Sequence, residues 1–218
     1  MTGISPQLLL SFLAGGMLLL AFFIVARMRL RSMLMMFAWQ SFLLACYAAL
    51  VAISTDESHL LITAVLTVVL KTWAIPFYLR RSAERSGASQ RLQSFLRPAS
   101  ALLIGSVMVI GAFFLTQRLV PMTDPNYITA SVSVSMMLLG LLALVTRKGM
   151  YGQIIGFLLM ENGIFTFGLT LTGGMPLLVE LGVFFDVTIG SVLMAALSYR
   201  VQKEHDTVVT DRLSELVD

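Results

Sequence analysis

In the stretch FLLMENGIF, residues 157 to 165, Glu161 and Asn162 interrupt an apolar run. Lys71 does the same in LKTWAIPFYL, and Glu180 and Asp186 in PLLVELGVFFDVTIGSVLM. At the centre of a lipid-crossing helix a charged side chain costs ~2.5–3.5 kcal/mol on the insertion scale, so the set would cost on the order of 10 kcal/mol if it all faced lipid. These residues must face the interior of a helix bundle, one another or water. Ionisable groups placed in this way suit the holding and passing of protons or cations. Lys71, Glu161, Asp186 and Glu180 are therefore the candidate relay. Glu180 lies about a turn inside its span and also reads as an edge carboxylate favoured by the helix dipole. The other three also read as a buried structural ion pair.

Local sequence adds to this. Pro76 follows Lys71 and lacks an N–H, so the carbonyl of Thr72 is expected to lose its helical partner and the helix to kink. Gly182 and Gly190 flank Asp186 at helical spacing and remove bulk from its face. Asp186 and Glu180 point about 120° apart around a helix, so they do not form a carboxylate dyad. Three carboxyls against one ammonium leave excess negative charge. Like charges and desolvation both favour the neutral acid, so at least one carboxyl is expected to carry a proton.

The elements that must hold these residues follow from the charge-free runs. These are Gln7 to Ala26, Ser32 to Thr55, Leu60 to Leu79, Pro98 to Gln117, Asn126 to Thr146, Gly149 to Gly174 and Met175 to Tyr199. Each is close to the ~20 residues that cross the hydrocarbon as a helix. The 218 residues are 57% hydrophobic and only 12% charged, about half the charge of a soluble domain. The expected fold is all-α, a polytopic seven-helix membrane domain over residues 1–199, with a tail at 200–218. The first run has no basic segment before it and is read as a retained helix, not a cleaved signal. A barrel would need alternating strands of ~10 residues, and none appear.

Every lysine and arginine except Lys71 and Arg118 falls on one side of this arrangement. The STDESH and PMTDPN loops on the other side are acidic. The positive-inside rule then puts the amino terminus outside and the carboxyl tail in the cytoplasm. The basic segment 80–98 reads as a cytoplasmic loop, with partner docking or lipid headgroup contact as the alternative. The tail EHDTVVTDRLSELVD reads as a solvated end or as a strap on a neighbouring subunit.

Other chemistry is missing from the sequence. Cys46 is the single cysteine, and His59 and His205 are the two histidines. This gives no iron–sulfur or zinc ligand set, and no haem pair is expected. Gly-rich phosphate loops and nucleophile elbows are absent. The basic balance follows membrane topology, so no nucleic-acid partner is expected. Gly152 and Gly156 make a GxxxG pattern, read as small-residue packing within a bundle.

GQIIGFLLMENG followed by PLLVELGVFFDVTIGSVLM resembles the hydrogenase-4 component E family, as does Lys71 with Ile75 and Pro76. The resemblance covers most of the chain. It implies a non-catalytic subunit in the membrane arm of a group 4 [NiFe]-hydrogenase or formate hydrogenlyase complex in the cytoplasmic (inner) membrane. The chain itself would bind no cofactor. The nickel–iron centre and iron–sulfur clusters would belong to partner subunits. Those partners would be antiporter-like and other membrane subunits and a hydrophilic hydrogenase module. Residues 150–199 are more distantly similar to the K-type subunit of respiratory complex I and to the C subunit of multi-subunit cation/proton antiporters. In that pattern Asp186 and Gly190 match an E-x-x-x-G spacing. Leu158 stands at the position of the pattern's glutamate, with Glu161 three residues later. The function expected is proton or sodium translocation coupled to redox chemistry. A cation/proton antiporter subunit and a purely structural scaffold remain the alternatives.

Overall fold

The computed structural model describes residues 6–85 and 91–172. The expected seventh span, with Glu180 and Asp186, and the tail lie outside these residues. Seven α-helices and one π-helical segment follow in order: α1 (Pro6–Ala26), α2 (Leu30–Thr55), α3 (Ser58–Thr67), the π segment (Val68–Ala74), α4 (Ile75–Arg85), α5 (Pro98–Thr116), α6 (Tyr127–Thr146) and α7 (Met150–Thr172). Helix is dictated by the apolar runs, because in lipid only a helix satisfies its backbone groups within its own segment. Among the described residues six helices are long and apolar enough to cross a membrane, and α3, the π segment and α4 together supply the third, Leu60–Glu84. The described residues are thus those of an all-helical, multi-pass membrane protein.

The central pair is α6 and α7, which pack along their length. A Cβ on Gly140 would lie 2.3 Å from the Met160 nitrogen, and one on Gly156 2.5 Å from the Leu144 nitrogen. These glycines let two backbones touch, as small residues do between membrane helices. Of the GxxxG pair, Gly156 sits in this seam, while Gly152 lies against the Arg147 side chain. Helix α1 packs on α2, α5 and α6, and α2 packs on α3, the π segment, α4 and α7. The chain reverses between α2 and α3 within two residues. Asp56 makes this turn at φ 57°, a left-handed conformation that aspartate tolerates better than most residues.

The third span differs from its sequence expectation. It continues past Leu79 to Arg85, because Arg80, Arg81 and Glu84 are exposed and solvate themselves while the backbone stays helical. Arg80 Nε also donates to Glu84 Oε1 at 2.8 Å, one turn on. The irregularity expected at Pro76 is a wide turn just before it. The Ile75 N–H bonds back five residues to the Leu70 carbonyl. One extra residue per turn upstream accommodates the donor that proline lacks.

Residues 91–95, within the expected basic loop, run extended on the face where α1, α4 and α6 end. Leu92 N–H donates to the Met28 carbonyl at 2.8 Å, Phe95 N–H to Thr146 at 2.9 Å, and Lys148 N–H to Gln93 at 3.1 Å. Arg147, one of the basic residues counted on this side of the arrangement, is only 2% exposed. Its Nη2 donates to the carbonyls of Val25 and Arg27 at 2.7 Å each and of Ile24 at 3.3 Å. A guanidinium at the carboxyl end of α1 satisfies carbonyls that the helix leaves open and meets the negative end of its dipole. Burial pushes its pKa down from the ordinary value.

Candidate functional site

Lys71 sits in the middle of the π segment, and Glu161 in the middle of α7. The fold brings them together: Lys71 Nζ donates to Glu161 Oε1. Lys71 is 1% exposed and Glu161 4%. The ammonium also reaches Asn162 Oδ1 at 3.4 Å and lies 5.6 Å from the centre of the Phe165 ring. Two charges this deep are tolerated only because they meet, since desolvation of either alone would cost several kcal/mol.

Asn162 links the pair to α2. Its Nδ2 donates to Gln40 Oε1 at 3.3 Å and to Ser41 Oγ at 3.2 Å. Gln40 Nε2 in turn donates to the Met17 carbonyl of α1 at 3.0 Å. Gln40, Ser41 and Asn162 are all fully buried. The result is a polar centre shared by α1, α2, the π segment and α7. Two side-chain oxygens on these elements, Glu161 Oε2 on α7 and Thr72 Oγ1 on the π segment, are buried without a hydrogen-bond partner among the described residues. A carboxylate with one oxygen on an ammonium and the other open can accept a proton or a further donor.

Polar groups continue along α7 in both directions. Toward its carboxyl end, Thr166 donates to the Asn162 carbonyl and Thr170 to the Thr166 carbonyl, both at 2.7 Å. The Tyr47 hydroxyl lies 2.9 Å from Thr170 Oγ1. Toward the amino end, Tyr151 and Ser82 hydroxyls are 3.1 Å apart. On α6, Ser131, Ser133 and Ser135 are buried and bonded to carbonyls one turn back.

Of the residues singled out from sequence, Lys71 and Glu161 are thus paired. Pro76 lies at the start of α4, at the end of the wide turn that carries Lys71. Asp186 and Glu180 fall outside the described residues. Gln40, Ser41, Tyr47 and Thr170 were not anticipated. The available signal was an amide and a hydroxyl side by side in FAWQSFLL, an unusual pair inside an otherwise apolar run.

No family model matches the chain, and no solved structure matches it significantly. It is 32% identical over 222 residues to an uncharacterized protein of Mycobacterium tuberculosis, covering 100% of both chains. It is 26% identical over 217 residues to hydrogenase-4 component E of Escherichia coli, covering 99% of both, and equally to hydrogenase-4 component E of Shigella flexneri. With similarity end to end, the chain belongs to the hydrogenase-4 component E family.

Proposed function

We propose that this chain is a non-catalytic membrane subunit of a hydrogenase-type complex, in which Lys71 and Glu161 take part in moving protons or sodium ions coupled to redox chemistry. The observation that carries the reading is the buried Lys71–Glu161 pair, its second carboxylate oxygen without a partner among the described residues, at mid-span in a chain of this family. A fixed cation beside a carboxylate sets how readily that carboxylate takes up a proton, so movement of either partner transfers the effect to the other. The reading includes a seventh span at 175–199 that brings Asp186, and nearer its edge Glu180, to the same centre. It also includes an outside amino terminus and a cytoplasmic tail in the inner membrane. Residues 150–199 would stand as the K-type-like part, beside antiporter-like subunits. Nickel, iron and the clusters are assigned to the hydrophilic module.

The test is Glu161→Gln, with Asp186→Asn beside it, in the assembled complex. Both keep shape and remove charge. The hydrophilic module should still reduce an artificial dye, while pH-gradient formation in sealed vesicles falls. Unchanged gradient formation in both variants, with assembly confirmed, would leave the ion pair as a device for helix pairing.

A further inference from the structure

The ion pair leaves unused a second polar centre in the same α2–α7 seam. Tyr47 on α2 is 2% exposed, Thr170 on α7 is 7% and Thr129 on α6 is 3%. The Tyr47 and Thr170 hydroxyls are hydrogen-bonded to each other at 2.9 Å. Two helices therefore each send one hydroxyl to one buried point, and a third buried hydroxyl residue, Thr129, stands on α6. Packing does not call for this, because phenylalanine would fill nearly the same volume and a buried hydroxyl costs free energy until it is bonded. A hydroxyl differs from the methyl or ring hydrogen it replaces in one respect that matters here. It both donates and accepts. A proton accepted on one oxygen can leave from the next, and reorientation of the two groups restores the starting state without any net change in either residue.

The placement fits such a use. Glu161 and Thr170 are about 13.5 Å apart along the axis of α7, a length spanned by about four water molecules at hydrogen-bond spacing. Thr166, fully buried, lies between them and donates to the Asn162 carbonyl, which leaves its oxygen able to accept from another donor. Past Tyr47, α2 ends at Thr55 and is followed by Asp56, on the face that carries Glu57 and Asp124.

We propose that the Tyr47–Thr170 hydroxyl pair passes protons between Glu161 and this acidic face. The inference rests on the proton-transfer reading of Glu161 given above. The test compares Tyr47→Phe, Thr170→Val, Thr170→Ser and Glu161→Gln in the assembled complex, in sealed vesicles. Gradient formation per dye turnover is measured, with dye reduction and assembly followed in parallel. Tyr47→Phe and Thr170→Val should lower proton movement about tenfold or more, while dye reduction stays unchanged. Thr170→Ser, which keeps the hydroxyl, should stay near wild type; a merely structural role would not separate serine from the isosteric valine in this way. Where Thr170→Val does not assemble, Tyr47→Phe, which keeps the ring, decides. Normal proton movement in Tyr47→Phe, with loss in Glu161→Gln, overturns the hydroxyl relay alone. Normal movement in Glu161→Gln overturns the reading of Glu161 and the relay with it.

Discussion

Lys71→Met removes the ammonium and keeps most of the side-chain volume. The cost can be worked from the site. Glu161 would stay 4% exposed, with the Lys71 ammonium gone and Oε2 already without a partner among the described residues. Breaking a buried pair from one side costs about 3–5 kcal/mol, because the remaining charge is left uncompensated. Cation contact with the Phe165 ring adds a smaller loss of about 0.5–2 kcal/mol. Glu161→Gln alone leaves the ammonium with a neutral oxygen and should cost a similar few kcal/mol. The double variant Lys71→Met/Glu161→Gln strands no charge, and replacing a whole buried pair by neutral groups is often close to neutral. The two single effects should therefore overlap strongly, with an interaction energy of at least about 2 kcal/mol. The assay is reversible unfolding of the purified protein in detergent across the four-member cycle. Additive single effects, within the ~0.5 kcal/mol expected of independent sites, would refute the view that each charge is retained because of the other.

Two further outcomes follow from the packing and the loops. Gly140→Ala should destabilise strongly, since its Cβ would meet the Met160 backbone, whereas Gly111→Ala, with nothing within 4 Å of the added carbon, should be neutral or stabilising in the same unfolding assay. In a Cys46→Ala background, cysteine placed at Ser58 should react with an impermeant thiol reagent in intact cells and cysteine placed at Gln93 should not; the reverse pattern would invert the proposed orientation.

Sequence legibility here depended on charge. The apolar runs located six helices, because lipid leaves a chain few other ways to satisfy its backbone. Lys71 and Glu161 stood out for the same reason, and the expectation that they share charge agrees with their contact. Neutral polar groups were harder to see. Gln40, Ser41 and Tyr47 carry no formal charge, and their importance lies in partners more than a hundred residues away, such as Asn162 and Thr170. The burial of Arg147 was equally hidden in the sequence. Its fork geometry fits the open carbonyls of α1, and that fit depends on how the end of α1 meets the end of α6.

The π segment shows why local rules alone could not place the site. Proline at position 76 demands relief upstream, but an outward kink and a widened turn both provide it. What distinguishes them is tertiary. The π segment packs against α2, and α2 against α7, so the segment is held inside the bundle at the depth of Glu161. A widened turn shifts the register of every residue before it relative to those after it. Lys71 lies inside that turn, so the angle at which its side chain leaves the helix is set by the same deformation that accommodates Pro76. The ammonium reaches Glu161 from a helix segment whose hydrogen bonding is already irregular.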